Sequence, residues 1–230
     1  MKIVIYTCIV NNYDTPLNVQ RLVAQNKADF VCFTDNAKTK EDGWEYRKID
    51  TVIEGKYKYP KTNRHVKLNP HLYLNGYDIN VYIDGNKRIK DFIKFIDLCH
   101  LLHNTDANIV LSHHWGRSMI VAEIAECIRL GRDDKEVLVN QLKSYILDGF
   151  KDTTGLYMGS IQIRKFNEEM RVFMEAWWDE VEKHSYRDQV SLPYVIWKTG
   201  MYPKMIRLYP NYVHELVEHH NHLKQFNGGV

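Results

Sequence analysis

Short apolar runs alternate with longer amphipathic stretches along this chain. Residues 2–10, Lys-Ile-Val-Ile-Tyr-Thr-Cys-Ile-Val, have almost no polar position and predict a first buried β-strand. The polar loop Asn11-Asn12-Tyr13-Asp14 follows, and Thr15-Pro16 offers an N-cap and a proline at the first helical position, so a helix is expected to about Gln25. Phe30–Thr34 predicts a second strand ending at Asp35-Asn36, and Trp44–Ile49 a third. Residues 55–63 read as a loop, with Thr62 or Asn63 capping a short helix through Leu68 that Pro70 ends or breaks. Ile79–Ile83 is a strand, 91–103 a helix of clear apolar period, and 108–111 a strand that runs into His113-His114-Trp115-Gly116. Ser118–Leu130 predicts an amphipathic helix closed by Gly131, and Asp133/Asp134 cap the next, which ends near Gly149. Leu156–Ile163 is a strand, Asn167 caps a helix bearing Trp177 and Trp178, 188–199 is helical around Pro193, and Lys204–Leu208 is a late strand.

Strand and helix signals in alternation predict an α/β fold with a mostly parallel central sheet. One domain is expected over residues 1–210, followed by a His-rich C-terminal tail, 211–230, with a loose Gly-Gly-Val end. In open α/β sheets ligands gather outside the carboxyl ends of the strands. The strand ends predicted here, Asn11–Asp14, Asp35, Asp84–Asn86 and His113–His114, are all polar, as a binding cleft requires.

The formal net charge of +2 gives no electrostatic case for nucleic acid, and no run approaches the length of a membrane span. The expected location is cytoplasmic, or peripheral to a membrane. Cys8, Cys32, Cys99 and Cys127 all lie in apolar segments with no CxxC pair, which predicts buried free thiols. Aromatic residues make up 12% of the chain, enough to furnish stacking surfaces for bases or sugars as well as core.

Candidate chemistry centres on Val81-Tyr-Ile-Asp-Gly-Asn86. Two short oxygen-bearing side chains one residue apart, Asp84 and Asn86, suit a hard divalent ion, and such an ion suits a diphosphate. The same tripeptide is also a common β-turn sequence. Asp35 can accept hydrogen bonds from a base or a ribose, and Tyr13 can stack on a base. Arg64 and Lys67, three apart on a helical turn, share a face and can neutralise a diphosphate, or form a solvated basic face. Asp188 fits a helix N-cap, or a carboxylate at a reacting hydroxyl or sugar carbon. His214, His219, His220 and His222 offer metal ligands without the i, i+4 spacing of a helical metal site, so a surface tail is the simpler reading. A phosphate-handling enzyme of another type would call for a glycine-rich first loop, and Val10–Thr15 has no glycine.

Taken in order, residues 6–14, 29–35, 63–71, 81–86 and 186–191 resemble the glycosyltransferase-like proteins long filed as a domain of unknown function. These occur in plant pectin synthesis and in bacterial and viral polysaccharide clusters. The resemblance covers most of residues 1–208 and implies a single GT-A-like (Rossmann-like) domain. It further implies transfer of a hexose-type sugar from a nucleotide-sugar donor to a saccharide or other hydroxyl acceptor. Residue by residue, it places Asp35 at the nucleoside and Arg64 and Lys67 at the diphosphate. Asp84 and Asn86 take the metal (Mn²⁺ or Mg²⁺) and ribose position, Leu156–Ile163 the acceptor side, and Asp188 the reacting carbon, with a lean to inversion. Asn86 stands where many GT-A enzymes have Asp, which implies a weakly held metal. The alternative is a non-catalytic nucleotide- or carbohydrate-binding module on the same fold.

Overall fold

The computed structural model describes residues 1–36, 40–50 and 53–222, so the expected loose end of the tail lies outside the described residues. In chain order the elements are β1 (Ile3–Ile9), α1 (Gln20–Val23), β2 (Asp29–Thr34), β3 (Glu45–Lys48), α2 (Lys58–Leu68), β4 (Ile79–Ile83) and β5 (Lys87–Ile89). Then come α3 (Phe92–His103), β6 (Ile109–His113), α4 (Ile120–Arg129), α5 (Lys135–Leu147), β7 (Tyr157–Lys165) and α6 (Glu168–Lys183). The chain continues through α7 (Asp188–Thr199), β8 (Met205–Leu208), α8 (Pro210–Leu216) and β9 (Val217–His219).

Seven strands form one sheet in the order β3-β2-β1-β4-β7-β6-β8. Every pairing is parallel except those of β7, which runs antiparallel to both β4 and β6. The α/β class with a mostly parallel sheet is therefore as the sequence pattern predicts. β1 and β4 are buried at every position because helices cover both faces of the sheet. Side chains alternate faces along a strand. Ile3, Ile5, Ile79, Val81 and Ile83 pack with Phe95, Ile96 and Cys99 of α3. Val4, Tyr6, Cys8 and Tyr82 point the other way, into a cluster that includes Val66 of α2. The carboxyl ends of β1, β2, β4 and β6 share one edge of the sheet, and β7 enters from that edge.

Three expected elements differ. The helix expected over 15–25 contracts to α1. Val19 donates its N–H to Asp42 O (2.7 Å) and Gln20 Nε2 donates to Glu41 O (2.8 Å), which ties this stretch to the loop before β3. α2 starts a turn earlier than a Thr62 or Asn63 cap would allow, with Pro60 in its first turn, where the missing N–H costs nothing. The segment from 211 is not a bare tail as far as it is described. α8 and β9 bury Val213, Leu216 and Val217 in the α3-side core, and β9 pairs antiparallel with β5.

All four cysteines are buried and free, and burial pushes the Cys32 and Cys99 thiols up to about 12. Among the described residues no helix is long and apolar enough to cross a membrane.

Gly43 fixes the approach of the loop before β3 to α1. Its φ is +91°, and a Cβ there would sit 2.7 Å from Gln20 N and 2.9 Å from Val19 C, both backbone atoms. Gly43→Ala is expected to destabilise the fold by about 1–3 kcal/mol. Thermal unfolding checks this: a variant melting with the parent would show that the loop shifts without strain.

Candidate active site

The carboxyl end of β4 opens into Asp84-Gly85-Asn86. Asp84 N–H donates to Ser160 O of β7 (2.9 Å), and Asp84 O accepts from Lys87 N–H (3.0 Å), closing a β-turn that delivers the chain into β5. The turn reading and the candidate site thus fall on the same structure. Gly85 lies against the end of β1; a Cβ on it would come 2.7 Å from Ile9 Cδ1 and 3.4 Å from Asp14 Cβ.

Asn86 is buried and clasped by the C-terminal segment. Its Nδ2 donates to His220 O (3.0 Å) and faces His222 Nε2 (3.1 Å), and its backbone O accepts from His220 N–H (2.9 Å). Its Oδ1 is buried with no partner among the described residues. His222 Nδ1 lies 2.6 Å from Asp14 Oδ2, and the His222 ring lies 4.9 Å from that of Tyr13. With Nδ1–H donated to that carboxylate, the Nε2 lone pair accepts from the Asn86 amide. This carboxylate–imidazole pairing is the arrangement that orients a metal-binding histidine. His219 Nδ1 meets Lys87 Nζ at 2.9 Å, and burial, then Lys87, pulls its pKa down.

On the other side of the β4 end, α2 presents Arg64 and Lys67 to Asp188 at the start of α7. Arg64 Nε donates to Asp188 Oδ1 (3.0 Å) and Lys67 Nζ to Oδ2 (2.5 Å), so both carboxylate oxygens are engaged. Asp188 is therefore not the cap of α7; Arg187 occupies that position, without a side-chain capping bond. Trp177 Nε1 donates to Asp188 O (2.9 Å) and fixes the residue's backbone. The Lys67 ammonium also lies 4.7 Å from the centre of the Tyr82 ring. Behind it, Tyr6 OH (2.8 Å) and Arg164 Nη1 (3.0 Å) both donate to Lys67 O and pin the end of α2. Gly159 of β7 makes the room: a Cβ there would stand 3.1 Å from Lys67 Nζ and 3.2 Å from Asp188 Oδ2.

The electrostatics follow from that packing. Burial alone would raise the Asp188 carboxyl, but Arg64 and Lys67 outweigh it and hold the group well below the usual carboxylate range. Burial likewise opposes the charge on Arg64, and Asp188 reverses the effect so that the guanidinium is held more firmly charged. A second cationic centre stands alongside. Glu123, fully buried on α4, accepts from Arg117 Nε (2.8 Å) and lies 3.8 Å from Arg187 Nη2. Arg64 and Arg187 both act on Tyr13, as does Asp84, and burial raises the Tyr13 hydroxyl first of all.

Asp35 occupies the next strand end, where both its oxygens accept from Asn11 N–H (3.1 and 2.9 Å). Asn11 and Asn12 both take left-handed backbone angles (φ 57° and 49°), and the Asp35 contact stabilises the loop that carries Tyr13 and Asp14.

The structure thus assembles Tyr13, Arg64, Lys67, Asp84, Asn86 and Asp188 at one edge, with Asp35 bracing the loop beside them. Asp14 stands in the sequence only as a loop residue, His222 offers a metal ligand there with a surface tail as the simpler reading, and nothing in it singles out Gly159. Asn86 and His222 are 136 residues apart, and their meeting depends on the β5–β9 pairing.

The fold and this edge define an α/β domain whose strand ends gather buried ion pairs beside an oxygen-bearing turn. The chain belongs to the TOD1/MUCI70 glycosyltransferase-like domain family, which matches it over residues 1–222. No curated protein matches it. Among solved structures it is similar to the galactosyltransferase LgtC, crystallised with donor and acceptor sugar analogs. That likeness covers 90% of this chain and 73% of that one, at 12% identity and a TM-score of 0.46.

Proposed function

We propose that the chain transfers a sugar from a nucleoside-diphosphate donor to a saccharide hydroxyl. The observation that carries this reading is the pairing, at one sheet edge, of the buried Arg64–Lys67 face with the Asp84-Gly85-Asn86 turn. Arg64, 19% exposed, supplies a planar fork toward a diphosphate, Lys67 adds positive charge from its buried place against Asp188, and Tyr13 offers a ring for the base. Asp35 acts through the loop it braces.

Among the described residues no group of three or more His, Cys, Asp or Glu side chains is set to hold a metal ion. The donor set we propose includes an amide. Asp84, the Oδ1 of Asn86 and, with the Asn86 amide turned over so that it no longer donates to that nitrogen, the Nε2 of His222 would hold Mn²⁺ or Mg²⁺ together with the donor's own phosphates. When bound, the ion would offset charge on the departing diphosphate. Asp188 is a poor general base, because a carboxyl held this low and bonded through both oxygens takes up a proton reluctantly. Its part in this reading is to fix Arg64 and Lys67 and to present negative charge near the sugar, so the lean to inversion with Asp188 as base loses its support.

The same observation favours the second reading, a nucleotide- or saccharide-binding module without catalysis. Thermal unfolding with UDP-, GDP- and dTDP-nucleotides, with and without Mn²⁺, tests both. One nucleotide class at about 100 times its Kd should add about 2.7 kcal/mol of stability. No shift with any of them would end both nucleotide readings. Binding without hydrolysis or transfer of any donor sugar would select the module.

A further inference from the structure

At the β6–β8 side of the same edge lie two of the most exposed aromatic rings in the chain, Trp115 (73% exposed) and Tyr209 (77%). They line a groove of about 640 Å³ with Pro210, Asn211 and His214. The rings are held rather than loose. His114 Nδ1 accepts N–H bonds from Gly116 (3.1 Å) and Arg117 (2.9 Å), which folds the loop so that Trp115 stacks beside the His114 ring (5.8 Å, 22° between planes). His113 stacks on Tyr157 (5.0 Å) and meets Tyr209 at 6.1 Å, and Tyr157 OH donates to Thr154 O (2.9 Å).

We infer that Trp115 and Tyr209 form the acceptor platform, a surface on which a saccharide chain lies with its sugar rings against the aromatic faces. Three features carry this. The C–H face of a pyranose bears partial positive charge and pairs with the negative face of an aromatic ring, and the Asn211 amide and His214 imidazole beside the rings suit sugar hydroxyls. An aromatic surface evolved for a protein core would be covered; here the Trp115 loop is fixed by the His114 hydrogen bonds, Tyr209 rests beside His113, and both rings are left open. Its position fits as well. Tyr157, under His113, is two residues (about 7 Å of strand) along β7 from Gly159, which packs on Lys67 and Asp188, so β7 links the base of the platform to the candidate site. The donor-side residues stand on the β1–β2–β4 half of the sheet and the platform on the β6–β8 half, so the two substrates would meet over β7.

The inference rests on the glycosyl-transfer reading for its role, but the platform is testable without donor. The full chain is applied to an array of immobilised neutral and acidic oligosaccharides. The wild type should bind at least one class, and Trp115→Ala with Tyr209→Ala should weaken that binding about tenfold, whereas Trp115→Phe keeps most of it. Both rings are exposed, so the variants should melt with the parent and keep the nucleotide-induced stabilisation. The inference is overturned if the wild type binds no oligosaccharide, or if the double variant binds as well as the wild type. It is equally overturned if the double variant's only change is lost self-association or lost binding to phospholipid vesicles. Glycan binding that depends on the two rings, with no nucleotide binding at all, would leave the platform standing and end the transfer reading. The reverse pattern would end the platform alone.

Discussion

Asp188→Ala should cost the protein about 3–5 kcal/mol, the penalty for leaving buried charges without their counter-ion. Arg64 and Lys67 both donate to that carboxylate, and with side chains 19% and 3% exposed Arg64 has little water to fall back on and Lys67 almost none. For a chain of this size each kcal/mol moves the melting temperature by about 2–4 °C, so a drop on the order of 10 °C is expected. Asp188→Asn keeps the shape and the Trp177 contact but not the charge, and should lose nearly as much. Pairing it with Lys67→Met removes one stranded cation and should recover part of the stability while leaving nucleotide binding poor. That combination separates the structural role of the cluster from its binding role. The pH dependence has a definite sign. The Asp188 carboxyl is held below its unfolded value, so its contribution is fully present above the unfolded carboxylate pKa of about 4 and fades as pH falls through the folded value. The gap in melting temperature between parent and Asp188→Asn should be full at pH 7 and shrink in acid. Equal melting of the two at neutral pH would show that the ion pairs carry no net stability.

The legibility of this fold varied with the range over which its determinants act. β1 and β4 were readable because their burial on both faces forces an unbroken apolar run. The turn after β4 was readable because Asp-Gly-Asn is both a turn sequence and a ligand set. The helix expected from Thr15-Pro16 failed because a local capping signal lost to a tertiary bond, Val19 N–H to Asp42 O. The C-terminal segment carried a usable signal that its histidines obscured: Val213, Leu216 and Val217 stand at i, i+3 and i+4, and all three are buried. The candidate site was legible as a set of residue types and not as a network. Arg64 and Lys67 looked like a free basic face, and their shared partner lies more than a hundred positions away (124 and 121). Likewise Asp14 and His222, separated by 208 positions, are joined only by the way β9 returns to β5.

Asp84→Ala should remove the Mn²⁺-dependent part of nucleotide binding, with apparent metal affinity falling about 100-fold or more. The carboxylate matters most because the other two donors are neutral. An amide oxygen and an imidazole nitrogen contribute no charge toward the ion, so Asp84 and the donor phosphates must supply it. His222→Gln and Asp14→Asn provide graded companions. Losing the imidazole removes a ligand atom, whereas losing the Asp14 carboxylate leaves the ring but frees its tautomer and orientation, for which about 10–100-fold is typical of such partners. The order expected in a Mn²⁺ titration followed by electron paramagnetic resonance, with nucleotide present, is Asp84→Ala weakest, then His222→Gln, then Asp14→Asn. Metal-free nucleotide binding should survive in all three, since Arg64 and Lys67 are untouched. If Asp84→Ala titrates like the parent, the turn at the end of β4 is not the metal site. If only His222→Gln and Asp14→Asn do so, the C-terminal segment closes over Asn86 by packing alone, and the ion rests on Asp84, Asn86 and the donor.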